Sequence, residues 1–216
     1  MLLRLFLMLL FVLCSTLTQA QYVDVNAVEI PVGYYVSKGD KKTIYAFTST
    51  DTTEIKAVAI VPEVFPNRRM DIHERRLVIP YSNVNLERLK QIKDKYAEWS
   101  QIAIKEKAPM MMKTIDIEIP DMYILTYKIS SDKPRNDDYH IALKSRKFKF
   151  AVPAKPDMMP MLHFIIDGKD PSRESSDVYG SHSFYSVNEI EELLDLIAPD
   201  KLRMRIKNST LDKLFK

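Results

Sequence analysis

Short runs of β-forming residues, one of them alternating apolar and polar, recur along this chain, and apolar positions switch to steps of three and four in two places. Residues 28–36 and 43–49 are rich in β-formers and flank the turn Ser37-Lys38-Gly39-Asp40, so they predict a hairpin. Residues 54–61 place Ile55, Ala57, Ala59 and Val61 on one side, the pattern of a half-buried strand. Residues 76–81 read as a short fourth strand. The period then lengthens: Leu86, Leu89, Ile92, Tyr96, Trp99 and Ala103 recur at helical spacing, with Asn85 as N-cap and Pro109 beyond the end. The chain's one tryptophan sits on this apolar stripe and should face the core.

Strand signals resume over 114–119, 122–130, 140–143, 148–152 and 161–166, with polar turns at 131–138 and 153–160. Residues 167–181 are polar, carry two glycines and predict a surface loop. The motif Ser186-Val187-Asn188-Glu189 is a capping box. It opens a helix with Ile190, Leu193, Leu194 and Ile197 on one face; Pro199 should end it and Asp200 should cap a short last helix. The predicted class is α+β: a predominantly antiparallel sheet with a mid-chain amphipathic helix and C-terminal helices covering one side.

Two half-sequences share an order of events. Val28-Glu29-Ile30-Pro31 precedes Tyr34 by the same gap that separates Ile117-Glu118-Ile119-Pro120 from Tyr123. Each half then reaches a Tyr-Ser pair, Tyr81-Ser82 or Tyr185-Ser186, close to a helix preceded by Val-Asn. Two readings stay open: a tandem duplication of a β-rich plus helix unit, with halves 21–109 and 110–216, or a coincidence of common β-patterns.

Residues 1–20 alter the picture most. Arg4, the apolar run 5–13 and the small and polar residues ending at Ala20 have the order of a secretory signal peptide, with cleavage expected before Gln21. The apolar run is shorter than the roughly 20 residues of a membrane-spanning helix. Val12 and Leu13 are too bulky for Cys14 to be a lipid-attachment site. The mature region, 21–216, would hold no cysteine, hence no disulfide, thiol nucleophile or thiolate ligand. With Arg4 the only charge in the leader, 31 basic residues face 29 acidic ones, a net charge of +2. That balance lacks the basic stripe of a nucleic-acid-binding surface. The expected protein is soluble and secreted or periplasmic, with no transmembrane segment in its mature part.

Catalytic signatures are absent. The histidines show no H-x-x-x-H or H-E-x-x-H spacing, no G-x-S-x-G elbow occurs, and four glycines in all leave none for a phosphate loop. The densest polar segment is 167–182. Asp167, Asp170 and His182 are candidates for an acid/base or metal cluster there, and Lys169, Tyr179 and His182 for ligand contacts. The same segment reads as a solvated connection that orders only on contact with a partner, and that reading is preferred. Met158, Met161 and His163 are candidates for Cu(I), whose soft character suits thioether and imidazole; Met110-Met111-Met112 is a second dense run. Against copper, neighbouring residues on one strand point to opposite faces, and methionine also serves as core filler. No cofactor is expected. The leading expectation is a non-enzymatic envelope or extracellular protein that binds an unidentified protein or small molecule; a hydrolase using the 167–182 loop is the alternative, and Met-based copper binding a third.

Overall fold

The computed structural model describes residues 27–62, 73–128, 139–155, 158–169 and 177–214. The expected export signal, residues 1–20, lies outside them. The elements are β1 (Val28–Ser37), β2 (Asp40–Thr48), β3 (Ile55–Ile60), β4 (His73–Pro80), α1 (Asn83–Lys105), β5 (Met111–Glu118), β6 (Tyr123–Lys128), β7 (Tyr139–Ala142), β8 (Lys147–Val152), β9 (Met161–Lys169), β10 (Asp177–Phe184), α2 (Val187–Leu196) and α3 (Pro199–Leu214). The class is α+β, with antiparallel sheets, a mid-chain helix and C-terminal helices.

The strands form two sheets, ordered β1-β2-β3-β4-β6-β7 and β10-β9-β8-β5. Segment 110–216 therefore lends β6 and β7 to the sheet begun by segment 21–109, and residues of both segments share the main core. A single bridge, Leu143 to Gly168, joins β7's end to β9. Only glycine fits there: a Cβ on Gly168 would lie 2.7 Å from the Ala142 carbonyl oxygen and 2.6 Å from Ile141 Cγ2.

The six-stranded sheet is apolar on both faces. Pairs such as Ile44–Ile60, Ala46–Val58 and Leu77–Ile124 point into the main core, while Phe47–Ala57 and Val78–Tyr123 form a second buried cluster behind it. This is why β3 is buried at four successive positions, Ala57 to Ile60, rather than at alternate ones as expected for a half-buried strand. Across the second face, Arg76 of β4 reaches Glu29 of β1 at 3.0 Å, both side chains less than a tenth exposed. The guanidinium also covers the Tyr45 ring at 4.5 Å.

Helix α1 starts earlier than the apolar pattern implies. Ser82, not Asn85, is the N-cap: its hydroxyl accepts the Asn85 N–H at 3.1 Å. Asn85 instead buries its side chain and donates to the Pro80 carbonyl at 2.8 Å. Tyr96 anchors the middle of the helix to the second sheet, donating to the Pro160 carbonyl at 2.8 Å from a fully buried position. Trp99 is half-buried, which tempers the expectation of a core residue. At 3.6 residues per turn the position after Tyr96 falls between 99 and 100; Ser100 takes the buried site and Trp99 the flank. There the indole meets the Phe150 ring edge-on, 5.7 Å between centroids, with the Lys113 ammonium 4.5 Å from its own centroid. Trp99→Ala should cost about 2 kcal/mol, below the 3–5 of a fully buried tryptophan. Urea unfolding checks this; a loss under about 0.5 kcal/mol would mean these contacts contribute nothing.

Ser186 caps α2 as expected, but the reciprocal bond of the box is displaced by one residue, to the Tyr185 N–H rather than the cap's own. The Ser186 hydroxyl accepts the Glu189 N–H at 3.3 Å, and the Glu189 carboxylate accepts the Tyr185 N–H at 2.9 Å and the Ser37 hydroxyl at 3.1 Å. One buried carboxylate thus starts α2 and ties it to β1. Pro199 does not merely end α2; it opens α3, sixteen residues long, where a first-turn proline loses no helical hydrogen bond. Gly33, at a bulge in β1 with φ +153°, lets α2 approach: a Cβ there would stand 2.5 Å from Leu196 Cδ2.

Candidate functional site

The expected loop at 167–181 is largely strand. Residues 161–169 and 177–184 form the β9–β10 hairpin, since Ile165 and Ile166 continue into Asp167 and Gly168 without a break in pairing. The residues between, 170–176, include Asp170 and most of the segment expected to be mobile, and lie outside the described residues. Register separates the other two members of the expected cluster. His182 faces Phe164 and Asp167 faces Tyr179. Directly opposed residues share a face, and 164 and 167 differ by an odd number, so His182 and Asp167 lie on opposite faces of the sheet. Asp167 pairs with Lys144 at 2.8 Å. Lys169 stands opposite Asp177 at the hairpin's outer end.

His182 belongs to the core. It is fully buried, with Nε2 and the Tyr35 hydroxyl sharing a hydrogen bond of 2.6 Å. Phe184 lies edge-on to the imidazole at 4.9 Å and stacks on Tyr35 at 5.7 Å. Nδ1 has no hydrogen-bond partner among the described residues. Burial, reinforced by the positive charges of Lys42 and His163, pushes the His182 pKa down to about 3. The ring is therefore neutral at physiological pH, and it bridges β10 to β1.

The methionines come together in a way that counting along one strand conceals. Met112 of β5 is opposite Ala151 of β8, and Ala151 is opposite Met161 of β9. The three form one row across the sheet, on the face opposite the core residues Phe150 and Leu162. Ala151 is only 8% exposed although it belongs to neither core cluster. At this end of the sheet Met110, Met111, Met112, Met158 and Met159 are all exposed, at 71, 39, 55, 38 and 60%, with Met111, opposite Val152, on the other face from Met112. His163 shares the face one step further along β9, its Nδ1 2.8 Å from the Ser183 hydroxyl. The sequence signal for this end was present in two methionine runs 46 residues apart; what brings them together is the pairing of β5 and β9 with a common neighbour. Among the described residues, no group of three His, Cys, Asp or Glu side chains is placed to hold a metal ion.

No family model, no curated protein and no solved structure matches this chain.

Proposed function

We propose that this is an exported, non-enzymatic binding protein whose contact surface is the methionine-bearing end of the four-stranded sheet. The observation that carries the reading is the exposure of five methionines from two distant segments at one end of one sheet. Monomeric proteins rarely leave contiguous apolar surface uncovered, and methionine is the residue of adaptable contact surfaces. Support also comes from the polar groups that catalysis would use: Asp167 and His182 sit on opposite faces, and His182 is sealed from solvent. Export rests on the order of residues 1–20, and among the described residues no helix is long and apolar enough to cross a membrane.

The test uses a photoreactive methionine analogue incorporated into the full chain. Crosslinks formed in its native compartment should concentrate at Met110, Met111, Met112, Met158 and Met159. Met204, on α3 and 57% exposed, is the internal control. Crosslinking spread evenly over all exposed methionines would overturn the surface assignment. The intact mass of the exported chain should begin at Gln21, and a mass retaining all 216 residues would refute cleavage.

A further inference from the structure

We infer that the row Met112–Ala151–Met161 is a binding site for a soft monovalent cation, Cu(I) above all. This rests on reading the sheet end as the contact surface, and names its ligand. The two methionines flank one strand, so their Cα atoms stand about 9.6 Å apart at the usual strand spacing. Two unbranched side chains with three rotatable bonds each close that distance when nothing tall stands between them. The intervening residue is alanine, low enough to be roofed over, and its 8% exposure on an otherwise open face shows that neighbouring side chains cover it. Further thioethers lie close along the chain, just before the two strands: Met110 two residues before Met112, and Met159 two before Met161. Both are more than half exposed and free to complete a trigonal set.

The donor chemistry selects the ion. Thioethers are neutral and soft, which favours Cu(I) over Zn(II), Mg(II) or Ca(II). A divalent ion would want carboxylates or several imidazoles, and among the described residues no such group assembles. Lys149, directly opposite His163 in the next row, adds positive charge that penalises a divalent ion more than a monovalent one. His163 stands on the same face beside Met161, with its ring orientation set by Ser183.

The experiment titrates Cu(I), and Ag(I) as a redox-inert probe, into the exported chain under anaerobic conditions against a colorimetric Cu(I) chelator. If Cys14 is retained, a Cys14→Ser background removes the only thiol. One equivalent should bind, and the methyl resonances of Met112 and Met161 should shift while that of Met204 does not. Met112→Leu and Met161→Leu conserve volume and should leave the fold intact. Each should weaken binding about tenfold or more, and together they should abolish it, with Met204→Leu unchanged. No stoichiometric Cu(I) binding, equal affinity in the double variant, or equally tight Zn(II) binding would overturn the site. Crosslinking at this sheet end would survive the first two of these results, so failure of the metal site is distinguishable from failure of the contact surface.

Discussion

Arg76→Met is expected to lower the unfolding free energy by about 3 kcal/mol, among the largest single-residue effects in the protein. The guanidinium faces Glu29 at 3.0 Å, and the two side chains are 7 and 9% exposed. Methionine approximates the arginine's length but removes the charge opposite a carboxylate that water scarcely reaches. It also ends the contact over the Tyr45 ring, a cation–π geometry worth more when desolvated. The ion pair spans β1 to β4, with Tyr45 of the intervening β2 lying against the guanidinium. For a chain of this size the melting temperature should fall by about 2–4 °C per kcal/mol. Replacing both partners, Glu29→Leu with Arg76→Met, should recover most of the loss, since no buried charge then faces an apolar group. Chemical denaturation of the single and double variants decides it. A single-variant loss under about 1 kcal/mol, or a double variant no better than the single, would mean solvent screens the pair far more than its burial implies.

Stability should also fall as pH drops below about 6.5, at up to about 1.4 kcal/mol per pH unit, because His182 stays neutral in the folded state. The sign follows from the depressed folded pKa of about 3. Between that value and the unfolded value of 6.5 the unfolded chain takes up a proton that the native chain refuses, so acid favours unfolding. Between pH 7 and pH 5 the loss from this residue is about 2 kcal/mol, and below the folded pKa it levels off. Half-buried His140, whose pKa burial also lowers, adds to the slope in the same sense. His182→Phe keeps a flat ring against Phe184 and removes the proton site. It should cost stability at pH 7, where the Tyr35 hydroxyl loses its 2.6 Å bond, and should flatten most of the pH dependence. An unchanged slope in that variant would show that other groups carry the acid sensitivity.

Much of the architecture was legible from local pattern. Runs of β-forming residues bounded by turns located β1, β2, β3 and β8 to within a few residues, although the alternation read in β3 gave way to burial on both faces. The Ser186 cap of α2 was legible because its hydrogen bond is made within three residues. The errors have a shared cause. Residues 167–169 and 177–181 looked like loop because Asp, Lys, Gly and Ser are polar or small, yet Gly168 is required where β9 meets β7 at 2.7 Å from backbone, and the hydrogen bond of His182 is made outside its own strand. Its partner Tyr35 lies 147 residues away.

The same division governs the site. Composition and order along the chain determined an α+β class, the absence of cysteine after residue 14 and two methionine-rich runs, all of which depend only on neighbours in sequence. Which methionines face one another, which histidine is sealed from water, and that Glu29 and Arg76 share one buried face were decided by strand order and register. A one-residue slip in β5 or β9 would send Met112 or Met161 to the opposite face, because the side-chain period along a strand is two. Register is set by the burial of Phe148, Phe150, Leu162 and Phe164 on the inner face, so it is the core, packed from residues far apart in the chain, that places the exposed methionines side by side.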